Sequence, residues 1–143
     1  MRPELSTYVN ARFCYAVCFP PAVLLPRGES ADGDGQAFVS PDGKSKMVVW
    51  GSWNALAETV SSRYASERRH LLGCTVTRKK LEPTWFALSG FAPDSRLCYD
   101  KQILDRNRWL GLWIEYPSSK RARFGALIAR ISRSLRPTAD CWW

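Results

Sequence analysis

Residues 74–116 read CTVTRKKLEPTWFALSGFAPDSRLCYDKQILDRNRWLGLWIEY, and this stretch decides the fold. It contains four strand-like segments in a row, at 74–81, 84–91, 96–105 and 108–116, each rich in aromatic and branched residues. Short segments with turn chemistry separate them, at 82–83, 93–95 and 106–107. Each strand can therefore fold back beside the one before it, which predicts an antiparallel meander.

The residues before this meander predict further strands. The aromatic stretch 12–19, stopped by Pro20 and Pro21, is typical of a strand that enters the core. Segment 26–35 gathers Gly, Ser, Asp and Pro and predicts a surface loop. Segments 36–40 and 46–52, joined by the turn residues 41–44, predict an antiparallel pair.

Two helices are predicted beside these strands. Asn54 can cap the first, in which Leu56, Val60 and Tyr64 recur every four residues, Leu71 adds a contact, and Gly73 ends the helix. The second starts at Ser118 or Ser119, runs to about Arg136 before Pro137, and carries one apolar stripe: Phe124, Leu127, Ile128, Ile131 and Leu135. The sequence therefore predicts an α+β fold, with an antiparallel sheet of about six or seven strands packed against two main helices. We expect a single domain at 8–136, with terminal tails at 1–7 and 137–143.

Composition limits the classes of function. A chain of 143 residues that is 45% apolar is long enough to bury one core without a cofactor. No apolar run approaches the roughly 20 residues of a membrane helix, and no signal peptide follows Met1, so we expect no membrane span. The net charge of +8 favours acidic partners.

Five cysteines leave at least one thiol unpaired within the chain. Cys14 and Cys18, four residues apart on one predicted strand, would be about 13 Å from each other and could not pair. Pairing of either with Cys74 or Cys98 would indicate an oxidising compartment. Buried free thiols are the alternative.

Catalytic and metal sites have little support in the sequence. His70 is the only histidine and lies four residues before Cys74, but Gly73 interrupts the helix on which they would share a face. Asp32 and Asp34 alternate with glycines as in a calcium loop, yet no Glu follows at the twelfth position. The carboxylates of Asp94, Asp100 and Asp105 have no recognisable catalytic spacing. We therefore predict no catalytic residue, no metal, no cofactor and no enzymatic activity, and keep a Cys74 enzyme only as an alternative.

Nucleic acid is not the partner that the basic residues favour. Residues 78–80 and 120–123 could neutralise phosphates. On a strand, however, Arg78 and Lys80 point to one side and Lys79 to the other, while Trp85 and Trp109 lie in alternating strands typical of core packing.

Turn and packing residues spread from Tyr8 to Arg136 carry a family resemblance: 8–13, 19–20, 34–36 with Phe38, 40–43, 49–52, 85–90, 99–101 and 115–117. The pattern resembles the Mog1/PsbP-like superfamily, small domains in which an antiparallel sheet packs against helices. In particular it is similar to short exported proteobacterial proteins, some of which resemble immunity proteins against toxins of type VI secretion. Such proteins bind a cell-wall amidase in the periplasm and plug its active site.

The resemblance implies a periplasmic, non-enzymatic inhibitor whose partner is a secreted cell-wall hydrolase. An accessory or adaptor domain of an envelope or transport complex is the alternative, and a homodimer is possible because an open sheet leaves edges to cover. An inhibitor needs exposed contact residues on a rigid scaffold, and three loops offer them. The candidate contacts are Glu29, Ser30, Asp32 and Asp34 in the first loop, Asp94 and Ser95 in the second, and Asp105, Arg106 and Asn107 in the third.

Overall fold

A computed structural model describes residues 3–139 and 141 of the chain. The strands are β1 (Ser6–Asn10), β2 (Tyr15–Phe19), β3 (Leu25–Glu29), β4 (Gly35–Val39), β5 (Lys46–Trp53), β6 (Thr75–Leu81), β7 (Trp85–Phe91), β8 (Arg96–Asp105), β9 (Arg108–Pro117) and β10 (Arg136–Pro137). The helices are α1 (Val60–Arg69) and α2 (Arg121–Ser134), the latter preceded by a 3-10 turn, Ser118–Lys120. The fold is α+β, as the sequence predicts.

Seven strands form one antiparallel sheet in the order β3-β4-β5-β9-β8-β7-β6. The predicted meander is its second half, in which β6, β7, β8 and β9 pair in succession. A second, three-stranded sheet has the order β1-β2-β10. The sequence did not predict this small sheet, in which Ser6 and Thr7, expected in a tail, pair with Phe19 and Cys18.

The main core lies between the large sheet and a layer made of α2 and the small sheet. The apolar stripe of α2 faces it, with Phe124, Leu127 and Ile131 buried against β2 and β9. Tyr116 stacks on Phe124 with ring centroids 4.7 Å apart. A second core lies on the opposite face of the sheet, where α1 covers Phe86, Trp109 and their neighbours. The large sheet is therefore packed on both faces.

Several boundaries differ from the predictions. Segment 12–19 is not one strand, because residues 11–14 form a turn in which Cys14 has a φ of 50°, and β2 starts at Tyr15. Segment 26–35 is not all loop, since Leu25–Glu29 is the edge strand β3. Its Pro26 and Gly28 are tolerated there because β3 pairs with β4 alone, across a register shift.

The first helix starts later than predicted. Thr59 caps it by accepting a hydrogen bond from Ser62 N at 3.0 Å. Asn54 instead binds the backbone of Glu58 through both its oxygen and its nitrogen, which stabilises the turn before the helix. Leu56, predicted on the apolar stripe, lies in that turn and is 82% exposed. In the second helix Ser118 and Ser119 belong to the 3-10 turn, and no side chain caps α2.

Two disulfides resolve the pairing of the cysteines, which the sequence left open. Cys14 is bonded to Cys141 and Cys74 to Cys98, with Cα–Cα distances of 5.8 and 6.6 Å. Cys18 is the free thiol that the odd count requires. Cys14 therefore pairs neither with Cys74 nor with Cys98, because the end of the chain returns to the turn that holds Cys14.

Candidate partner-binding surface

The first predicted contact loop is a rigid acidic turn, Ser30–Asp34, between β3 and β4. The hydroxyl of Ser30 lies within hydrogen-bonding distance of the carboxylates of Asp32 and Asp34 and accepts from Asp34 N at 3.2 Å. The bond from Ser30 holds the pKa of Asp32 below its usual value. Asp32 is therefore a charged, exposed side chain in a fixed position.

The N-terminal hairpin clamps this turn from one side. Asn10, which is fully buried, donates to Gly33 O at 2.9 Å, and Tyr15 OH donates to Asp34 O at 2.8 Å. Arg12 donates to Asp32 O at 2.6 Å. Backbone carbonyls of three consecutive turn residues are thus held by side chains of another hairpin, and the turn is preorganised without a partner.

Glu29, at the end of β3, belongs to the same arrangement. Its carboxylate accepts from Tyr8 OH at 2.7 Å and from the amide of Asn10 at 3.3 Å. Burial, aided by the Glu29 carboxylate, raises the pKa of Tyr8 to about 12, so the phenol remains a donor at neutral pH. Glu29 therefore helps to hold Asn10, which in turn holds the acidic turn through Gly33 O.

Trp53 ends β5 beside the acidic turn. Its ring packs on that of Phe13 with centroids 5.1 Å apart, the guanidinium of Arg12 lies 4.9 Å from the Phe13 ring, and Trp53 remains 43% exposed. Large amphipathic aromatic rings are among the side chains that most often dominate binding energy in protein interfaces.

The turn between β8 and β9 lies at the same end of the sheet. Asn54 N donates to Asn107 O at 2.9 Å, and Asp105 pairs with Arg108 at 2.9 Å. Arg106 is exposed and has a φ of 57°. Two strand spacings, about 10 Å, separate this turn from β4 across the sheet. We name the residues Ser30–Asp34, Trp53 and Asp105–Asn107 the apical surface.

Asp94 and Ser95 are not part of the apical surface. They form the turn between β7 and β8, at the opposite end of a strand of 10 residues, about 30 Å away. The carboxylate of Asp94 accepts from Arg96 Nε at 2.9 Å, which fixes its side chain on its own hairpin. Of the three predicted contact sets, two are therefore adjacent and the third is remote.

A polar cluster that the sequence did not predict lies beneath α1. Asp100 and Gln102 project from β8 into a cavity of about 400 Å³ that is also lined by Arg63, Glu67 and Trp113. Arg63 Nε donates to Gln102 Oε1 at 2.6 Å, and Arg63 also pairs with Glu58 at 3.1 Å. Burial and the nearby charge of Glu67 raise the pKa of Asp100 to about 8. The available signal in the sequence was the spacing of Asp100 and Gln102, two and four residues after Cys98, which places the three side chains on one face of β8.

The catalytic candidates weighed from the sequence do not converge. Cys74 is bonded to Cys98, which contradicts the alternative of a Cys74 nucleophile, and His70 is exposed at the end of α1. Asp94 and Asp105 lie at opposite ends of β8, with Asp100 buried between them. Among residues 3–139 and 141, no three His, Cys, Asp or Glu side chains gather as a metal site requires. Neither described helix is long and apolar enough to cross a membrane.

Comparison with known proteins identifies the fold. No family model matches the chain, and no curated protein is significantly similar to it. Among solved structures, the solution structure of cyanobacterial PsbP (CyanoP) from Synechocystis sp. PCC 6803 matches with a TM-score of 0.64 at 9% sequence identity. The match covers 96% of this chain and 94% of that one. The chain therefore has a PsbP-like fold over nearly its whole length, as the Mog1/PsbP-like resemblance predicted.

Proposed function

We propose that this protein is a non-enzymatic inhibitor that binds a partner protein through the apical surface. More specifically, we propose an immunity protein that occludes the active site of a type VI secreted peptidoglycan amidase in the periplasm. The observation that carries the proposal is the acidic turn Ser30–Asp34, whose backbone carbonyls are held by Asn10, Arg12 and Tyr15. A protruding turn that is ordered before binding loses little conformational entropy in the complex.

The neighbouring residues support the same proposal. Trp53 supplies an aromatic anchor, while Asp32 and Arg106 supply charges of both signs at its sides. Aromatic anchors surrounded by polar rims are the usual composition of tight protein interfaces. The two disulfides support the periplasmic part of the proposal, because disulfides persist in oxidising compartments.

Affinity capture followed by inhibition tests the proposal. The tagged protein is incubated with lysate of its source organism in moderate salt with nuclease, and the captured protein is purified and assayed for release of peptides from peptidoglycan. We expect one stoichiometric hydrolase, inhibited in proportion to the protein added. Several weak, salt-sensitive partners would instead favour the accessory or adaptor role, and a captured protein without hydrolase activity would exclude the immunity role.

Variants of the apical surface locate the contact. We expect Asp32→Asn and Trp53→Ala each to weaken binding of the captured hydrolase at least tenfold. The matched control is Asp42→Asn, because Asp42 also accepts from a turn serine, Ser40, but lies at the other end of the sheet. Asp94→Asn tests the β7–β8 turn, which lies remote from the apical surface. A loss of affinity in that variant alone would mean that the hydrolase contacts the β7–β8 turn instead.

A further inference from the structure

A groove crosses the face of the large sheet that α1 does not cover. It runs between α2 and strands β6, β7 and β8, and its volume is about 600 Å³. Small residues, among them Ser89, Gly90, Gly125 and Ala129, lie along it. Their size leaves the groove deep enough to receive side chains from another molecule.

The charge of the groove is of one sign. Arg78, Arg121 and Arg133 lie along it and are exposed, and no Asp or Glu of the described part of the chain lines it. Within residues 3–139 and 141, none of these three arginines forms an ion pair. This is unlike Arg63, Arg96 and Arg108, each of which has a carboxylate partner.

The positive surface continues along β6. Lys79 and Lys80 border a second depression that shares Arg78, Ser89 and Tyr99 with the groove. The one carboxylate that pairs here is Glu82, 3.7 Å from Lys80 and at the far end of the strand. Cationic side chains therefore extend over the sheet edge as well as along the groove.

A buried lysine lies beside the groove and contacts Ser132, one of the residues that line it. Lys101 is 8% exposed, and its Nζ donates to Ser132 O of α2 at 2.8 Å and lies 4.7 Å from the centre of the Trp85 ring. Neither of these partners is a carboxylate, and burial lowers the pKa of Lys101. A negative ligand in the groove would meet three exposed cations, Arg78, Arg121 and Arg133.

We propose that this groove binds an acidic segment of another protein, in which carboxylates of an extended chain meet Arg78, Arg121 and Arg133. A guanidinium can bind a carboxylate through two parallel hydrogen bonds, which makes arginine the residue suited to such a ligand. The concave shape admits side chains of an extended segment. The inference goes beyond the proposed inhibition, because the groove and the apical surface occupy different parts of the molecule.

The aromatic residues argue against nucleic acid as the ligand. Single-stranded nucleic acid requires open ring faces on which bases stack. Here the Trp85 ring has Lys101 at 4.7 Å and Lys80 at 5.6 Å, and Tyr116 is buried against Phe124. Tyr99 is tied through its hydroxyl to Ser132 at 2.6 Å. Of the two described rings that line the groove, Tyr116 is therefore stacked on Phe124 and Tyr99 is held in place by its hydroxyl.

The shape argues against a lipid surface. Binding to anionic membranes places cations on a flat or protruding surface, where they reach headgroups in one plane. Gly125 and Ala129 lie in the groove between Arg121 and Arg133 on α2, and Arg78 lies on the sheet opposite. A flat bilayer cannot enter the space between α2 and β6.

A labelled acidic peptide tests the proposal. The probe is a fluorescein-labelled dodecapeptide of alternating Glu and Ser, and its binding to the full chain is measured by fluorescence anisotropy at low and moderate salt. We expect saturable binding that weakens at least tenfold in the variant Arg78→Gln/Arg121→Gln/Arg133→Gln. The control variant, Arg27→Gln/Arg69→Gln/Arg123→Gln, removes three exposed arginines outside the groove and gives the same net charge, reduced from +8 to +5. We expect that control to lose less than threefold.

A second variant blocks the groove without removing an arginine. Ala129→Glu places a carboxylate at an exposed position of α2 that lines the groove, and we expect it to abolish binding of the peptide. Equal losses in the two triple variants, or no saturable binding at low salt, would overturn the proposal. Tighter binding of a 20-nucleotide single-stranded DNA, or of phosphatidylglycerol vesicles, with the same dependence on the groove arginines would assign the groove to those ligands instead. Ala129→Glu is also assayed as an inhibitor of the captured hydrolase. If the variant still inhibits the hydrolase, the outcome of the peptide experiment bears on the groove alone and not on the proposed function.

Discussion

The guanidinium of Arg63 lies 4.6 Å from the centre of the Trp109 ring, at the base of α1. Trp109 is fully buried in β9, and Arg63 also binds Gln102 and Glu58. One side chain therefore joins the helix to two strands of the sheet and to the turn that precedes the helix. Because α1 has a short apolar face, with Val60 its one buried residue, this polar junction holds much of the helix in place.

Substitution of Arg63 tests the strength of that junction. We expect Arg63→Ala to lower the free energy of unfolding by about 2 to 3 kcal/mol, because it leaves Gln102 without its donor and uncovers the Trp109 ring. Urea denaturation followed by tryptophan fluorescence measures the change. The control is Arg68→Ala on the same helix, where the exposed guanidinium contacts the Tyr64 ring at 5.6 Å, and we expect a loss below about 0.5 kcal/mol. Equal losses would show that the junction contributes nothing specific.

Asp100 makes stability depend on pH. Its pKa in the fold is about 8, above the usual value of 3.8 for an aspartate, so folding favours the protonated form. The contribution of Asp100 to stability is therefore fully present below about pH 4 and is lost as pH rises toward 8, by at most about 1.4 kcal/mol per pH unit for one proton. We expect Asp100→Asn to remove this fall, making the variant less sensitive than the parent between pH 5 and 8. Denaturation series at several pH values measure the slope.

Two other carboxylates, those of Glu67 and Asp94, serve as controls for that slope. Glu67→Gln removes a charge that raises the pKa of Asp100, so the fall in stability should end at a lower pH. Asp94→Asn should leave the slope between pH 5 and 8 unchanged, because hydrogen bonds from Arg96 hold the pKa of Asp94 below its usual value. An unchanged slope in Asp100→Asn would show that Asp100 titrates normally.

We expect substitution by alanine to lower stability at Gly35 and to raise it at Gly125. A Cβ atom at Gly35 would lie 1.9 Å from Val49 O and 2.8 Å from Tyr15 OH, so Gly35→Ala must push β4 away from β5. We expect a loss of about 2 to 4 kcal/mol and weaker order in the acidic turn. Gly125 lies in α2 with nothing within 4 Å of an added Cβ, and we expect Gly125→Ala to raise stability by up to about 1 kcal/mol. Thermal unfolding of the two variants checks both signs, and a destabilised Gly125→Ala would contradict the open space at that site.

The meander was predictable because its evidence is local. In β7 the buried residues Phe86 and Leu88 alternate with less buried ones, and turn residues mark each end of the strand. The stripe of α2 is equally local, since residues three and four apart share a face. Such patterns depend only on residues that are close in sequence, so they can be recognised without knowing how the rest of the chain folds.

The misassigned elements depend on contacts that no periodicity in the sequence reveals. β3 is exposed along its whole length and has no alternation, so its pairing with β4 alone makes it a strand. Thr59 rather than Asn54 caps α1 because Asn54 binds the backbone of Glu58. Arg63 and Gln102 are 39 residues apart, and no spacing rule connects them. Of the candidate contacts, sequence could name exposed turns, but only the strand register places Asp32 near Asp105 and far from Asp94.

The disulfide between Cys74 and Cys98 is expected to contribute about as much to stability as the Arg63 junction. It joins the start of β6 to β8 across a sequence separation of 24 residues, and a loop of that size corresponds to about 3 kcal/mol. We expect Cys74→Ser/Cys98→Ser to lower the free energy of unfolding by that amount, and thiol titration of the unreduced, unfolded parent to find one thiol, that of Cys18. Cys18→Ser is the control, because Cys18 forms no disulfide and its loss should leave the melting temperature within a few degrees of the parent. Five reactive thiols together with a melting temperature unaffected by reductant would contradict both pairings and remove the support that they give to an oxidising compartment.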